Sequence, residues 1–560
     1  MTTVSEYLIQ RFVDLGLDKA FGIPGDFPFP ILDAIEASTG LQWVGGVNEL
    51  NAAFSADGYA RRRGAALLST TYGVGELSTI NALMGSKAHR VPVFLVVGAP
   101  SRRTVHQQLS TYHTLGDGVY GNHEPIMEAA CCIRVVLTPE NAIVEIERAI
   151  RVALAECAPA YIVVPQDVAV SPVDGAVMAP GAHLQTIRRA QSNPQELEAA
   201  ATAIVKRLQS ANRPLLLPAM LAARLGLRSK VQQLIDTTCL PFALTPVNKG
   251  LLDEDQPMYL GLYAGVQSMP QGLQEQVESS DLLLDLGGFQ NVHMNTAFWT
   301  SHLPEQAHIQ VHATWVQIGA QIFVDVAMAD LLDRLNALTQ DWRAPAMQAL
   351  AYPPMPMVGE PADPTSSEGF FPRLQRHLQP NDLLLVESSG CALVMAAMRL
   401  PAGVGYESQL IWSSIGFATP LAIGVAMAEA DRRVVLVSGD GAHQETMGAI
   451  ATMGFHDVKP IIFLLNNGCY GCEYKLDTGR HHYNEIPPVS YSQLPEVLGC
   501  KDWLCRKVAT IAELDEAMAA IKAQPNRAAY IEVMIPAEEN VSFPDKLLDY
   551  MYKLKTPTGL

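Results

Sequence analysis

Two polar side chains that follow neighbouring predicted strands could bind a metal ion together. The stretch RRVVLVSGDG places Asp440 at the end of an apolar run, and KPIIFLLNN places Asn467 at the end of the next run, 27 residues later. A helical stretch, AHQETMGAIATMGF, lies between them, which is typical of a strand–helix–strand unit. Because the carboxyl ends of parallel strands meet at one edge of a sheet, we expect both side chains to project to the same point.

The chemistry that suits this point is magnesium and diphosphate binding. Mg²⁺ prefers oxygen ligands in near-octahedral geometry and usually shares them with the phosphates of a bound molecule. Gly439 and Gly441 on either side of Asp440 allow close approach to the backbone, and the following helix would present N–H groups to phosphate. A second Gly-Asp-Gly, at 116–118, lacks the flanking strand and the asparagines, so we interpret it as an ordinary turn.

The segment continues as NNGCYGCEY, in which Cys469 and Cys472 have the CxxC spacing of redox and zinc sites. A structural zinc ion needs a second pair of ligands, and the nearby pair, His481 and His482, is of a kind often found in solvated loops. A redox CxxC usually opens a helix, whereas this segment directly follows the predicted metal-binding strand. We therefore rank a thiol-redox or zinc protein below a magnesium site.

Composition limits the classes of function open to the chain. It has 560 residues, enough for three or four domains, and a formal net charge of −18. The acidic total argues against nucleic acid and anionic membranes as partners. The longest apolar runs are strand-sized, the N-terminus resembles an amphipathic helix, and nine cysteines are spread thinly. We expect a soluble, cytoplasmic protein with reduced thiols.

The elements that must position these residues fall into three α/β blocks. Short apolar runs alternate with longer helical patterns, as in doubly wound parallel sheets. The expected strands are KAFGIPG, LQWVGGVNE, AALLSTTYG, VPVFLVVGAP and AYIVVPQDV in the first block, RPLLLPAM, DLLLDLGG and HIQVHAT in the second, and DLLLVESSG, RRVVLVSGD, KPIIFLLNN and AYIEVMIPA in the third. Polar or proline-rich stretches near 170–195 and 343–366 separate the blocks. We predict domains at 1–180, 190–345 and 360–560.

The order Gly-Asp-Gly, helix, apolar strand, Asn-Asn resembles the thiamine-diphosphate signature. FGIPGDF, VNELNAAFSADGYARRRGAA, TTYGVGELS and YNEIPPVSYSQLPEVLG resemble the pyruvate and 2-keto-acid decarboxylase family, including its indolepyruvate and branched-chain members. The resemblance implies pyrimidine-binding, central and diphosphate-binding domains of the thiamine-diphosphate-binding fold. It also implies thiamine diphosphate and Mg²⁺ as cofactors, a homodimer at least and usually a homotetramer. The implied reaction is non-oxidative decarboxylation of a small 2-keto acid to an aldehyde and CO₂.

The resemblance also assigns roles to single residues. Asp440, Asn467 and the backbone carbonyl of Cys469 would ligate Mg²⁺. Glu49, in VNELN, would bond the aminopyrimidine ring so that the cofactor itself acts as base, and Ile415, in WSSIGFATP, would hold the cofactor bent. The residues expected to bind the cofactor are Glu49, Thr71, Ser388, Ser413, Ile415, Gly439, Asp440, Gly441, Ala442 and Asn467.

Proton transfer would involve Asp26 (IPGD), His113 (YHTLG) and Glu473 (YGCEY), which together with Glu49 match the family's catalytic set. Burial would raise the pKa of one carboxyl so that it donates a proton near neutrality. The chain departs from the family pattern at Tyr112, which stands where relatives carry the first of two adjacent histidines. A phenol, with a reference pKa of about 10, donates hydrogen bonds but transfers protons poorly at pH 7.

Three further positions bear on the substrate. Ala392 and Cys472 are smaller than the aromatic and branched aliphatic residues that relatives often carry there, and Leu476 is expected in the same pocket. We therefore predict a roomy pocket that favours bulky or long-chain 2-keto acids over pyruvate, namely phenylpyruvate, indolepyruvate, branched-chain or linear keto acids.

Two other interpretations keep the same cofactor. One is a carboligase or lyase, as in acetolactate synthase-like or benzaldehyde lyase-like enzymes; the IPGD aspartate favours decarboxylation, but Tyr112 leaves carboligation open. The other is a non-catalytic protein that binds the cofactor, which Tyr112 also leaves open.

Overall fold

The structure is a computed structural model that describes residues 2–173, 184–187, 190–476 and 481–537. The chain forms two compact units. The first consists of Met1–Arg189, Thr419–Ala430 and Thr446–Val458, and the second of Ala190–Ala418, Asp431–Glu445 and Lys459–Leu560.

A six-stranded parallel sheet lies in the first unit. Its strands are β1 (Lys19–Gly22), β2 (Gln42–Gly45), β3 (Ala66–Thr71), β4 (Val93–Ala99), β5 (Ile133–Val136) and β6 (Ala160–Pro165), in the order β2-β1-β3-β4-β6-β5. The helices of this part are α1 (Val4–Asp14), α2 (Phe29–Ala37), α3 (Glu49–Arg63), α4 (Val74–Ser78), α5 (Ile80–Ala88), α6 (Arg102–His106), α7 (Glu124–Ala130), α8 (Ala142–Glu156), α9 (Gln166–Ala169) and α10 (Leu184–Ile187). Every residue of β3, β4 and β6 is buried, which explains their continuous apolar and β-branched sequences.

Local sequence sets both ends of α3, the helix that begins at the predicted site residue Glu49. The side chain of Asn48 caps the helix by accepting the N–H of Asn51 at 2.8 Å. Gly64 ends the helix in the left-handed region, with φ +95°, where a side chain would be unfavourable. Glu49 is therefore placed at the first helical residue, four residues after β2 ends at Gly45.

The second sheet has seven strands and lies in the second unit. Its strands are β7 (Pro214–Pro218), β8 (Phe242–Leu244), β9 (Tyr259–Leu262), β10 (Leu282–Leu286), β11 (His308–Val311), β12 (Trp315–Ile318) and β13 (Gln321–Val324), in the order β13-β12-β11-β10-β7-β8-β9. The helices of this part are α11 (Pro194–Ser210), α12 (Met220–Arg224), α13 (Arg228–Thr238), α14 (Leu273–Glu278) and α15 (Met328–Leu338). This sheet is mixed, because β11, β12 and β13 pair antiparallel. The connections between these three strands are too short for the crossover that parallel pairing needs.

The third sheet also lies in the second unit and is parallel throughout. Its strands are β14 (Leu383–Val386), β15 (Gly405–Glu407), β16 (Val434–Gly439), β17 (Ile461–Asn466), β18 (Leu504–Val508) and β19 (Ala529–Met534), in the order β15-β14-β16-β17-β19-β18. The helices of this part of the chain are α16 (Ser367–His377), α17 (Gly390–Ala396), α18 (Ala418–Ala428), α19 (Asp440–Thr446), α20 (Ala449–Phe455), α21 (Gly471–Leu476), α22 (Leu494–Val497) and α23 (Ile511–Ala523).

The predicted fold class, α/β with three doubly wound parallel sheets, is confirmed, and the difference is the antiparallel edge of the second sheet. The domain boundaries at 1–180, 190–345 and 360–560 stay a prediction. Among the described residues, no helix is both long and apolar enough to cross a membrane.

Candidate active site

The carboxyl ends of β14, β16 and β17 border a cavity of about 350 Å³ within the second unit. Many residues predicted from the sequence line it: Ser388, Ser413, Ile415, Gly439, Asp440, Gly441, Ala442, Asn467, Cys469, Cys472 and Glu473. The strand-end rule therefore brings together the predicted residues of this half of the chain. Among the described side chains predicted in this half of the chain, Ala392 is the exception.

The Asn467 amide meets the Asp440 carboxylate and the Cys469 carbonyl at the predicted metal position. With its oxygen turned inward, the Asn467 side chain places Oδ1 2.9 Å from the carbonyl oxygen of Cys469 and 3.1 Å from Oδ1 of Asp440. The reversed amide would donate its N–H groups to both oxygens. Ligands about 2.0–2.1 Å from an octahedral Mg²⁺ lie about 2.9 Å apart, so the inward orientation fits this cation. The carboxylate, amide and carbonyl oxygens are also the ligand types that Mg²⁺ prefers.

Asp440 is held by backbone amides as well as by burial. It is 2% exposed, and its two oxygens accept the N–H groups of Gly441 at 2.9 Å and Gly468 at 2.7 Å. Burial raises the pKa of Asp440 to about 6, while the backbone amides oppose this shift. A cation beside the carboxylate would favour the ionised form and lower the pKa again.

The glycines around Asp440 differ in their surroundings. A Cβ at Gly441 would lie 2.7 Å from the Tyr470 ring, so only glycine allows this close approach. A Cβ at Gly439 would meet no atom within 4 Å, which leaves the backbone there open to a ligand. These environments suit the predicted cofactor-binding role of this turn.

Both cysteines of the CxxC motif, Cys469 and Cys472, line the cavity. The Cys472 sulfur accepts the N–H of Gly390 at 3.4 Å, and burial raises the pKa of this thiol, which makes it unreactive. The part of the chain that the structure describes has no group of three or more His, Cys, Asp or Glu side chains able to hold a metal. His482 is 96% exposed and pairs with Glu485. The zinc interpretation therefore finds no support among the described residues. Helix α21 begins at Gly471, inside the CxxC motif, as it would in a redox site, but the raised pKa of Cys472 disfavours the redox interpretation.

Ala392, a predicted pocket residue, does not line the cavity. Ala392 is fully buried in the hydrophobic core beside the third sheet, and its carbonyl accepts the Tyr406 hydroxyl at 3.1 Å. Its neighbour Cys391 lines the cavity instead, because successive residues of α17 point to different sides of the helix. The side chain of Leu476 lies outside the described part of the structure.

The remaining predicted residues follow strands of the first sheet. Thr71 ends β3 and is 8% exposed, and a Cβ at Gly25 would lie 2.7 Å from its Cβ, so the Ile-Pro-Gly-Asp turn packs directly on Thr71. A Cβ at Gly75 would lie 3.1 Å from Thr71 Cγ2 and 3.4 Å from Glu49 Oε1. Glu49 and Thr71 therefore border the same glycine turn.

Asp26, Tyr112 and His113 form a second group in this unit. The Tyr112 hydroxyl donates a hydrogen bond to Asp26 Oδ2, and the His113 ring lies edge-on to Tyr112 with centroids 4.8 Å apart. A Cβ at Gly73, where φ is +66°, would lie 2.4 Å from the His113 carbonyl oxygen. The glycine thus allows the His113 backbone to lie against the turn that follows β3.

The sequence analysis missed His293 and Met294, which line the cavity from the segment after β10. Burial lowers the pKa of His293, and its ring contacts Phe298 and Trp299 with centroids 3.8 Å and 5.5 Å away. A signal existed, because this segment also follows the carboxyl end of a buried strand.

Three family descriptions match successive parts of the chain. They are the N-terminal TPP binding domain of thiamine pyrophosphate enzymes at residues 2–118, the central domain at 201–338 and the C-terminal TPP binding domain at 388–533. Thiamine pyrophosphate and thiamine diphosphate are the same molecule.

Similar proteins cover nearly the whole chain. An alpha-keto-acid decarboxylase of Mycolicibacterium paratuberculosis is 33% identical over 96% of this chain and 94% of its own length. One of Mycobacterium tuberculosis (strain ATCC 25618 / H37Rv) is 32% identical over 96% of this chain and 95% of its own. The solved structure of Rhodococcus jostii RHA1 thiamine diphosphate-dependent 4-hydroxybenzoylformate decarboxylase shares the fold, with a TM-score of 0.77, 23% identity, and coverage of 96% of this chain and 100% of that one. On these matches, the chain belongs to the thiamine-diphosphate-dependent 2-keto-acid decarboxylases, and the predicted enzyme class is confirmed.

Proposed function

We propose that this decarboxylase uses Mg²⁺ with its thiamine diphosphate and prefers bulky 2-keto acids to pyruvate. The observation that carries the metal assignment is the convergence of oxygens from Asp440, Asn467 and Cys469. Acceptors this close repel one another unless a cation lies between them or the amide reverses. When bound, the cofactor supplies an electron sink for the pair released as CO₂ leaves.

The residues of the chain would orient the substrate and supply protons. Asp26, His113 and Glu473 are the proposed donors of the proton that completes the aldehyde. The Tyr112 hydroxyl bonds Asp26 Oδ2 and would hold that carboxyl in one orientation. Glu49, at the first residue of α3, is the proposed partner of the cofactor's ring nitrogen.

The substrate proposal now rests on Cys472. Its sulfur is held against the Gly390 amide at the cavity wall, and it is shorter than a branched aliphatic side chain. Ala392 no longer contributes, because it lies in the core. Each apolar contact that a small substrate fails to make would shift selectivity by about 1–3 kcal/mol, which favours a phenyl, indolyl or long alkyl group.

We also propose a homodimer, usually assembled into a homotetramer, because the family resemblance implies a cofactor bound across two subunits. A cytoplasmic location is supported by the nine cysteines, all of which are free thiols. Sedimentation of the purified protein with and without cofactor would measure the oligomeric state.

A substrate panel tests the proposed function. The protein is loaded with thiamine diphosphate and Mg²⁺ and supplied with pyruvate, phenylpyruvate, indolepyruvate, 4-methyl-2-ketopentanoate and 2-ketooctanoate, and CO₂ and aldehyde are measured. We expect a higher kcat/KM for the bulky acids than for pyruvate. An equal or higher value for pyruvate would contradict the preference. A parallel assay with an acceptor aldehyde would reveal carboligation as a hydroxyketone product.

A further inference from the structure

Two fully buried polar residues connect the elements around the cavity without lining it. Gln409 and Glu387 are each 0% exposed, and neither contributes to the cavity wall. We propose that Gln409, together with Glu387, is a positioning residue that holds Ile415 in the wall of the cofactor cavity. This inference rests on the role that the family resemblance implies for Ile415, and it adds the residues through which the chain would fix Ile415 in place.

Gln409 holds two separate pieces of backbone. Its carbonyl oxygen accepts the Ser388 hydroxyl at 2.7 Å, and its Oε1 accepts the Ser414 N–H at 2.9 Å. Ser388 lies two residues after the end of β14 at Val386, and Ser414 lies between the cavity-lining residues Ser413 and Ile415. Gln409 therefore joins the end of a rigid strand to the turn that carries Ile415.

The turn needs such support because its backbone is unfavourable. Ser413 has φ +56°, in the left-handed region that a serine rarely adopts, and Gly416 has φ +81°. A Cβ at Gly416 would lie 3.1 Å from the Ala442 carbonyl oxygen, so the turn lies close to the start of α19. A conformation of this kind persists where surrounding contacts hold it.

Glu387 fixes the two flanks of the same region. One carboxyl oxygen accepts the Ser388 N–H at 2.9 Å, and the other accepts the Ala418 N–H and the Ser438 hydroxyl, both at 3.4 Å. Ala418 begins α18 just after Ile415, and Ser438 lies two residues before Asp440. Burial raises the pKa of Glu387 to about 7, with the charge of Glu445 adding to the shift and the three donors opposing it.

Gln409 is a poor choice for stability alone. Its Nε2 is buried and has no hydrogen-bond partner among the described residues. An unpaired buried donor costs free energy that a leucine of similar size would avoid. This cost points to the bond made by Oε1, rather than to packing, as the contribution of Gln409.

The test replaces Gln409 by leucine and compares the variant with Gln375→Leu. Gln375 makes the same kind of bond, since its Oε1 accepts the Met355 N–H at 2.9 Å, but it lies outside the cavity wall. We expect Gln409→Leu to lower kcat about tenfold or more with KM changed less than about twofold, because reacting groups lose their alignment. Gln375→Leu should keep both values.

Two readouts in the cofactor-free protein do not depend on activity. Amides 410–418 should exchange hydrogen faster in Gln409→Leu, and the emission of Trp412, in the same segment, should shift to longer wavelength. Gln409→Glu keeps an oxygen for Ser414 and should recover part of the lost kcat.

Unchanged kcat, or unchanged exchange of amides 410–418, in a folded Gln409→Leu protein would overturn the inference. If that variant does not fold, hydrogen exchange in the unsubstituted protein is the test. The Ser414 amide should then exchange slowly. Exchange at the rate of an exposed loop amide would overturn the inference. Failure of the unsubstituted enzyme to decarboxylate any keto acid would instead overturn the proposed function. The exchange result would still show whether Gln409 holds the 410–418 segment.

Discussion

The Tyr112 hydroxyl donates a hydrogen bond to Oδ2 of Asp26, while the Tyr112 ring stacks on Phe27 with centroids 5.1 Å apart and planes 10° apart. This geometry gives the residue that departs from the family pattern a defined partner. A phenol held in this way donates to the Asp26 carboxyl and orients it, so we assign proton transfer to other groups. Tyr112 is thus proposed as a fixed donor where relatives carry an imidazole.

The first prediction concerns that hydrogen bond. Tyr112→Phe should lower kcat by about tenfold with little change in KM, because bonds to charged groups contribute about 1.5–3 kcal/mol. Steady-state kinetics on the preferred keto acid measures the effect. Tyr120→Phe is the control, since that hydroxyl bonds the Leu109 carbonyl in the same segment rather than a carboxylate. Equal losses in both variants would contradict a specific role for Tyr112.

The second prediction concerns the converging oxygens. Asn467→Ala should weaken thiamine diphosphate binding in the presence of Mg²⁺ by about 100-fold or more, since one of three protein ligands is lost. Titration calorimetry measures the affinity, and EDTA should abolish binding to the unsubstituted protein. Asn466→Ala is the matched control, because that amide donates to Glu532 at 2.8 Å instead. Binding that survives both Asn467→Ala and EDTA would exclude the proposed metal site.

The third prediction concerns the cavity wall at Cys472. Cys472→Ile should lower the ratio of kcat/KM for phenylpyruvate to that for pyruvate by about tenfold or more, because the larger side chain fills space needed by the ring. Cys472→Ser keeps the size and an acceptor for the Gly390 N–H, so it should keep the ratio. It should also keep activity, in contrast to what a redox CxxC would require. An unchanged ratio in Cys472→Ile would show that residue 472 does not determine the substrate preference.

The fourth prediction concerns acid stability. Burial and the charge of Arg433 lower the pKa of His377 to about 4, with Asp382 opposing the shift. Below the unfolded value near 6.5 the unfolded chain binds a proton that the folded protein does not, so stability is lost as pH falls from about 6.5 to 4. Between pH 7 and pH 4.5, the free energy of unfolding should fall by about 2 kcal/mol less in His377→Gln than in the unsubstituted protein, as measured by urea unfolding. If the free energy of unfolding depended on pH in the same way in both proteins, His377 would not be the group responsible.

The fifth prediction concerns α3, the helix that begins at Glu49. Asp57 is 0% exposed and accepts the Arg61 Nε–H at 2.5 Å and the Ser86 hydroxyl at 2.6 Å. Asp57→Ala should lower the free energy of unfolding by about 3–5 kcal/mol, because it removes a buried carboxylate that pairs with the Arg61 guanidinium. Glu145→Ala is the control. It breaks the exposed ion pair with Arg148 and should lower the free energy of unfolding by less than about 1 kcal/mol. Similar midpoints for the two variants in urea unfolding would contradict this difference.

Much of the site was predictable because its signals are local. Asp440 and Asn467 each end a buried apolar strand, and the strand-end rule places such residues together in a parallel sheet. His293 is harder to predict, because it lies seven residues beyond the end of β10. Ala392 shows the limit of positional matching, since one residue along a helix decides between the cavity and the core.

The sequence by itself determined the fold class, the enzyme family and the residues at the strand ends, because periodicity, turn glycines and short motifs depend on neighbouring residues. Only the tertiary structure decided which residues meet across long separations. The Tyr112–Asp26 bond joins residues 86 apart, and the Glu387–Ser438 bond joins residues 51 apart. Such contacts depend on packing that no local pattern encodes. The antiparallel β12–β13 edge and the buried Gln409 likewise became visible only in three dimensions.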